Sequence, residues 1–250
     1  MNTKSSIQVI DRMALLLNMI ARYDKAVSLK ILSAECQLHP STAHRILSSL
    51  IEHQFVERDD AGYFKLGIKL LHLGSHVHQG VGFRQQAKPL MKDLRDELEE
   101  SINLTIRESD EVVYVERAIS GRMMRVEQVI GSRAPLHVTA VGKLMLAEMG
   151  EDACRDYAKR TGLPAYTSNT ITDVEKLITH VKKAQRDGFA YDDEEAEKGV
   201  GCIGVLIRKS NGDIEGGLSL SAPIERRKEE WVQVVIEKGK RLSERLGYFG

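Results

Sequence analysis

Apolar residues recur at helical spacing from the start of the chain. Val9, Met13, Leu16, Leu17 and Ile20 share one face of a helix predicted over 7–22. Ser28 can cap a second helix, in which Leu29, Leu32 and Cys36 point inward. His39 then stands at a cap position and Pro40 at the first helical position, where its missing N–H costs nothing. Ala43, Ile46, Leu47 and Leu50 form the buried stripe of that third helix. The runs 55–58 and 63–66 read as two short strands around the turn Asp59-Asp60-Ala61-Gly62. Residues 67–80 read as a connecting helix with Ile68, Leu70, Leu71 and Leu73 on it, and its apolar side is expected to pack on a second copy of the chain. Gly80 and Gly82 mark a break before the next unit.

From Phe83 the pattern becomes a mixture of helices and strands. An amphipathic helix over 83–100 carries Leu90, Leu94 and Leu98. Strands are expected at 102–107, 112–118, 123–130, 189–193, 200–208 and 214–221, with Asn211-Gly212 as a hairpin turn before the last. Helices are expected at 140–149, 151–161, 173–187 and 226–246. One sheet with helices on it is the economical reading of these 165 or so residues. The predicted organisation is therefore a domain over 1–66, a linker helix over 67–82 and a second domain over 83–250.

Composition narrows the class. The chain of 250 residues is 42% hydrophobic and 29% charged, as expected of an ordinary soluble protein. No apolar run reaches the ~20 residues that span a bilayer, and the polar opening Met1–Ser6 has no signal-peptide core. Cys36, Cys154 and Cys202 are odd in number and widely spaced, which fits a reducing cytoplasm better than a disulfide framework. A cytoplasmic protein without a membrane partner is expected. Thirty-six basic residues oppose thirty-six acidic ones, which argues against coating nucleic acid non-specifically.

The layout of residues 27–66 is that of a helix-turn-helix followed by a β-wing, a unit that lays its second helix into the DNA major groove. Ser41, Thr42, His44, Arg45 and Ser48 lie opposite the buried stripe and are the candidate contacts. Arg45 can donate to guanine or phosphate, and the hydroxyls to phosphate or base edges. The bland alternative for Arg45 is an ion pair with a neighbouring helix. Arg58 and Lys65 are the wing's candidates, because its acidic tip is awkward beside phosphate. Residues 1–66 hold eight Lys or Arg against seven Asp or Glu, so one copy should bind duplex weakly and a second should help.

Three motifs together carry a resemblance. They are His39-Pro40-Ser41-Thr42-Ala43-His44-Arg45-Ile46-Leu47, Pro135-Leu136-His137-Val138-Thr139-Ala140-Val141-Gly142-Lys143, and Gly188-Phe189-Ala190-Tyr191-Asp192-Asp193-Glu194-Glu195. The last is followed by Gly199-Val200-Gly201-Cys202-Ile203-Gly204 and Leu218-Ser219-Leu220-Ser221-Ala222-Pro223. In this order the chain resembles the isocitrate-lyase-regulator (IclR) family of bacterial transcription factors along nearly its whole length. One departure is Leu144, where a small residue commonly follows Gly-Lys. The resemblance implies an α+β protein: an N-terminal winged helix-turn-helix, a linker helix, and a C-terminal effector-binding domain of GAF-like or profilin-like topology with a mixed sheet and flanking helices. It also implies a homodimer or dimer of dimers that binds operator DNA, responds to a small organic or aromatic acid, controls a catabolic operon and needs no cofactor.

Thr139 can cap the helix that opens at Ala140, leaving the N–H groups around Ala140, Val141 and Gly142 as a carboxylate cradle. By resemblance the pocket adds Asp192, Val200, Cys202, Ser219 and Ser221. Strand alternation agrees, since Val200, Cys202 and Gly204 share one face, as do Ser219 and Ser221. A satisfied structural network is the bland alternative. His137 fits a packing role and a site role equally. His72, His76 and His78 read as a solvated or oligomer-facing run, and no metal site is expected. Gly142-Lys143 lacks the glycine and hydroxyl of a phosphate loop, and Cys202 has no base at a defining spacing. A small-molecule enzyme fused to a DNA-binding unit is the alternative function, and a constitutive architectural DNA binder the third. The first lacks an acid, base and nucleophile constellation, and neutral charge weighs against the second.

Overall fold

The caps read from the sequence start the helices of the first eighty residues. In the computed structural model, which describes residues 7–77 and 82–249, the hydroxyl of Ser28 accepts the N–H of Ile31 and opens helix α2, Leu29–Glu35. His39 accepts the N–H of Ser41 through its ring and opens helix α3, Pro40–Glu52. Leu16 of helix α1, Gln8–Ile20, meets Leu32 and Leu47 in a core where all three are fully buried. Strands β1, Val56–Arg58, and β2, Phe64–Leu66, pair antiparallel, and Val27 bridges to Phe64, which ties the wing to the chain ahead of α2. Helix α4, Ile68–Val77, exposes Ile68, Leu71 and Leu73. Of the run His72, His76 and His78, only the side chain of His72 lies among the described residues.

The chain divides into two units at Gly80 and Val81. In the second, helix α5, Phe83–Leu98, leads into strands β3, Ser101–Glu108, and β4, Glu111–Ala118. Strand β5, Arg133–Pro135, precedes helices α6, Ala140–Met149, α7, Glu151–Thr161, and α8, Val174–Asp187. Strands β6, Ala190–Asp193, β7, Val200–Arg208, and β8, Ile214–Pro223, and helix α9, Trp231–Arg245, complete it. The sheet runs β5-β4-β3-β8-β7-β6.

Three expectations are corrected here. The sheet is not mixed: every ladder is antiparallel, because each neighbouring pair is joined as a hairpin or by a return crossover. Residues 123–130 form no strand. Arginines hold that segment instead: Arg117 donates to the carbonyl of Gln128, and Arg226 to that of Met124 at 2.9 Å. The edge strand comes later, at 133–135, on β4. The last helix also starts at Trp231 rather than 226, after a single turn over 224–226.

The sheet separates two chemistries. On one side Ile102, Leu104, Ile203, Val205, Leu218 and Leu220 pack beneath α5 and α9. On the other, Ser101, Asn103, Thr105, Ser219 and Ser221 are buried on the same strands by alternation. Helix α6 crosses this polar side at very short range. A Cβ on Gly217 would lie 2.1 Å from Val141 Cγ1, and one on Gly204 would lie 2.9 Å from the Val141 nitrogen. Only glycine permits that approach.

Gly217→Ala is expected to push α6 off the sheet and cost about 1–3 kcal/mol, the usual cost of overpacking. Thermal unfolding checks it, and an unchanged midpoint would show that this contact does not seat the helix.

Candidate ligand pocket and nucleic-acid face

In the first unit the third helix turns its polar side out. Ser41, His44, Arg45 and Ser48 are exposed, and Thr42 is half-buried. Arg45 has no ion pair or hydrogen bond among the described residues, so its guanidinium is not consumed by a neighbouring helix. Ser41 is held by the His39 ring at 2.8 Å, and Ser48 donates to the His44 carbonyl at 2.9 Å. The wing cations are engaged within the hairpin. Arg58 donates to the Gly62 carbonyl at 3.1 Å and lies 5.6 Å from the Phe64 ring centre, while Lys65 pairs with Glu57 at 2.9 Å.

In the second unit a cavity opens between the polar face of the sheet and the start of α6. Thr139, Ala140, Val141, Asp192, Cys202, Ser219 and Ser221 line it, together with Thr105, Val112 and Tyr114. Its free space, about 20 Å³ for the centre of a water-sized guest, holds about one water molecule. The Thr139 hydroxyl accepts the N–H of Gly142 at 3.1 Å, so that amide is taken. The first-turn N–H groups of Ala140 and Val141, with no intrahelical partner, are left for an anion.

Three of the ten expected pocket residues do not line this cavity. Gly142 instead gives its N–H to the Thr139 cap. Val200 stands at the start of β7, paired with Pro223, two residue pairs beyond the wall pair Cys202 and Ser221. His137 is fully buried: its ring meets the Tyr157 hydroxyl at 2.7 Å and the Pro164 carbonyl at 3.2 Å, a packing arrangement. Burial holds its pKa below the ordinary histidine value. The lining residues missed from sequence are Thr105, Val112 and Tyr114. The alternation Ser101, Asn103, Thr105 among apolar neighbours was a usable signal for the first. Tyr114 was hidden by a β-bulge: Leu104 pairs with Glu116 but Thr105 with Tyr114, so the extra residue Val115 turns Tyr114 onto the pocket side.

Two family models cover most of the chain. The "Bacterial transcriptional regulator IclR C-terminal" model matches residues 75–247, and the "IclR helix-turn-helix domain" model residues 9–60.

The chain belongs to the IclR family.

Among relatives of this IclR-family chain, the HTH-type transcriptional regulator KipR of Bacillus subtilis is 31% identical over 83% of this chain and 85% of its own. The crystal structure of the Thermotoga maritima IclR is 28% identical, covers 97% of this chain and 100% of that one, and has a TM-score of 0.80. An IclR homologue from Microbacterium hydrocarbonoxydans, solved in complex with 4-hydroxybenzoate, is 25% identical over 95% and 98% of the two chains, with a TM-score of 0.83. KipR is named as a transcriptional regulator, as the family model is, and this IclR chain is a regulator with a helix-turn-helix and an effector-binding domain, not an enzyme.

The electrostatics of the IclR pocket fit binding. Burial pushes the Cys202 thiol up, and Asp192 beside it adds to that, so the sulfur stays protonated and is no nucleophile. Its Sγ lies 3.2 Å from Ser221 Oγ, which also accepts from Asn103 Nδ2 at 3.1 Å. The Asn103 side-chain oxygen, Oδ1, is buried and accepts no hydrogen bond among the described residues. Lys143 is buried and ion-paired with Glu195, pinning the turn after β6 to α6.

Thr139→Ala is expected to uncap α6 and cost about 1 kcal/mol, with Thr139→Ser largely retaining it. Chemical denaturation of the three proteins checks this, and equal stabilities would remove the cap from the account.

Proposed function

We propose that this chain binds operator DNA through α3 and releases or retains it according to a small carboxylic acid bound at the start of α6. The observation that carries the reading is the helix N-terminus facing a buried cavity walled by hydroxyls, a thiol and a carboxylate. Two free amides and the helix dipole suit a carboxylate, and the hydroxyls suit polar groups on the rest of the guest. The complex of the Microbacterium relative with 4-hydroxybenzoate supports an organic acid as the class. Catabolic genes are the expected targets, since a regulator that senses an organic acid is suited to controlling its breakdown.

Ser41, Thr42, His44, Arg45 and Ser48 make the DNA contacts, with Arg45 the leading donor because it is exposed and uncommitted among the described residues. Arg58 and Lys65 have partners inside the wing, so their phosphate contacts are secondary. A homodimer, through the exposed Ile68, Leu71 and Leu73 of α4, doubles contacts that a near-neutral unit cannot supply alone. The cavity holds about one water, so an acid must widen it. That widening is what makes the affinity of the guest differ between two states of the protein.

Mobility-shift titration of operator fragments tests both halves. Arg45→Ala is expected to weaken binding by about 1–3 kcal/mol per half-site, with the oligomer unchanged in light scattering. An unchanged shift in that variant removes Arg45 from the interface. One acid of a panel is expected to change operator affinity by about 1–3 kcal/mol, and a flat response across the panel would refute the effector reading.

A further inference from the structure

Asp192 lines the same cavity as the first-turn residues of α6. Its side chain is buried, and Oδ1 accepts the N–H of Glu195 at 2.8 Å and of Ala196 at 3.4 Å. Both bonds fall on one oxygen. The same small cavity is bounded by the first turn of α6, so an acid held by its amides shares one small space with the Asp192 carboxyl.

The surrounding charges do not balance two anions. From α6, the Lys143 ammonium is already paired with Glu195, which belongs to the turn after β6. From the segment after β8, Arg227 donates to the main-chain carbonyl of Asp192 at 3.0 Å and is ion-paired with Asp193. Tyr114 of β4 and Cys202 of β7 face Asp192, and burial keeps both in their neutral forms. What remains is the partial charge of the α6 N-terminus, about half a positive unit, which is far less than two carboxylates need. Buried carboxylates that share a site hold a proton between them.

We propose that Asp192 takes up one proton from solvent when an acid enters, so that the effector is bound as a carboxylate–carboxylic acid pair and its affinity falls as pH rises. This rests on reading the cavity as an acid site. The proton sits on Oδ2, because Oδ1 is occupied by two N–H donors. From there it is donated to one oxygen of the guest, while the other oxygen accepts from the amides of α6. No covalent bond forms or breaks.

The free protein is already set up for this. Burial holds the Asp192 carboxyl up at about 6 despite its two backbone N–H bonds, so little is needed to protonate it near neutrality. Above that value the apparent affinity of the guest should fall about tenfold per pH unit, because only the protonated protein binds. Below it, and above the pKa of the guest, affinity should be level. Asn at this position reproduces the protonated form: its oxygen accepts the same two N–H groups and its NH2 donates to the guest.

The test is calorimetric titration of the full chain with glycolate and with 4-hydroxybenzoate at about pH 8, in two buffers with different heats of ionisation. The expected result is uptake of about one proton per site. Asp192→Asn is expected to bind about a hundredfold more tightly than the natural protein at that pH, about equally near pH 5.5, and with no proton uptake. Binding without proton uptake overturns the proposal and leaves the acid pocket standing. So does an Asn variant that folds and binds more weakly at every pH, because Asp192 then serves as an ionised acceptor. If neither acid binds, the proposal falls together with the pocket reading.

Discussion

The second unit depends on one close approach, that of the first turn of α6 to the middle of the sheet. Gly204 and Gly217 remove the two side chains that would hold the helix away, and Val141 fills the space they leave. Helix ends are normally placed at the surface, where water satisfies their spare amides. Here the end is pressed against strands, so its amides must find partners inside. Thr139 takes one of them. The others face a cavity, and that cavity exists only because the helix arrives end-on at a glycine-thinned sheet.

The opposite faces of the same strands then divide the labour. Beneath α5 and α9 the sheet is apolar and supplies burial. Toward α6 it presents Ser, Asn and Thr side chains, which cost free energy to bury unless they are hydrogen-bonded. A fold selected for stability alone would fill these sites with Val or Leu. The buried Lys143–Glu195 pair belongs to the same pattern. Such pairs are weak contributors to stability, but this one fixes the turn that follows Asp192 against the helix that carries the amides.

The sequence exposed the parts of this arrangement that are local. The cap residues Ser28 and His39-Pro40, the buried stripe of α3 and the Asn211-Gly212 hairpin are short-range signals, and each element forms where its signal lies. Seven of the ten expected pocket residues line the cavity, on the strength of alternation in β7 and β8 and of the family motifs. What the pattern could not show was set at a distance. Residues 123–130 have strand-like composition, yet arginines from β4 and from beyond β8 claim their carbonyls before a strand can. Tyr114 joins the pocket through a one-residue bulge that reverses the alternation of β4, and nothing within β4 itself announces it. His137 sits in a pocket motif but is drawn into the core by Tyr157, twenty residues away.

A ligand shifts a protein between two states only by its differential affinity for them. The DNA-facing unit carries a surplus of one basic residue, so its hold on a duplex rests on a few placed donors rather than on bulk attraction. Losing the alignment of even one such donor is worth about 1–3 kcal/mol. Allosteric couplings are typically of that same size. A cavity with room for a single water cannot accept an acid without rearranging its walls, and those walls come from β3, β4, β6, β7, β8 and the start of α6. The work of opening is therefore spread over the framework of the unit rather than absorbed by one loose side chain. A guest that met a roomy, preformed pocket would bind more tightly but would have less reason to move anything.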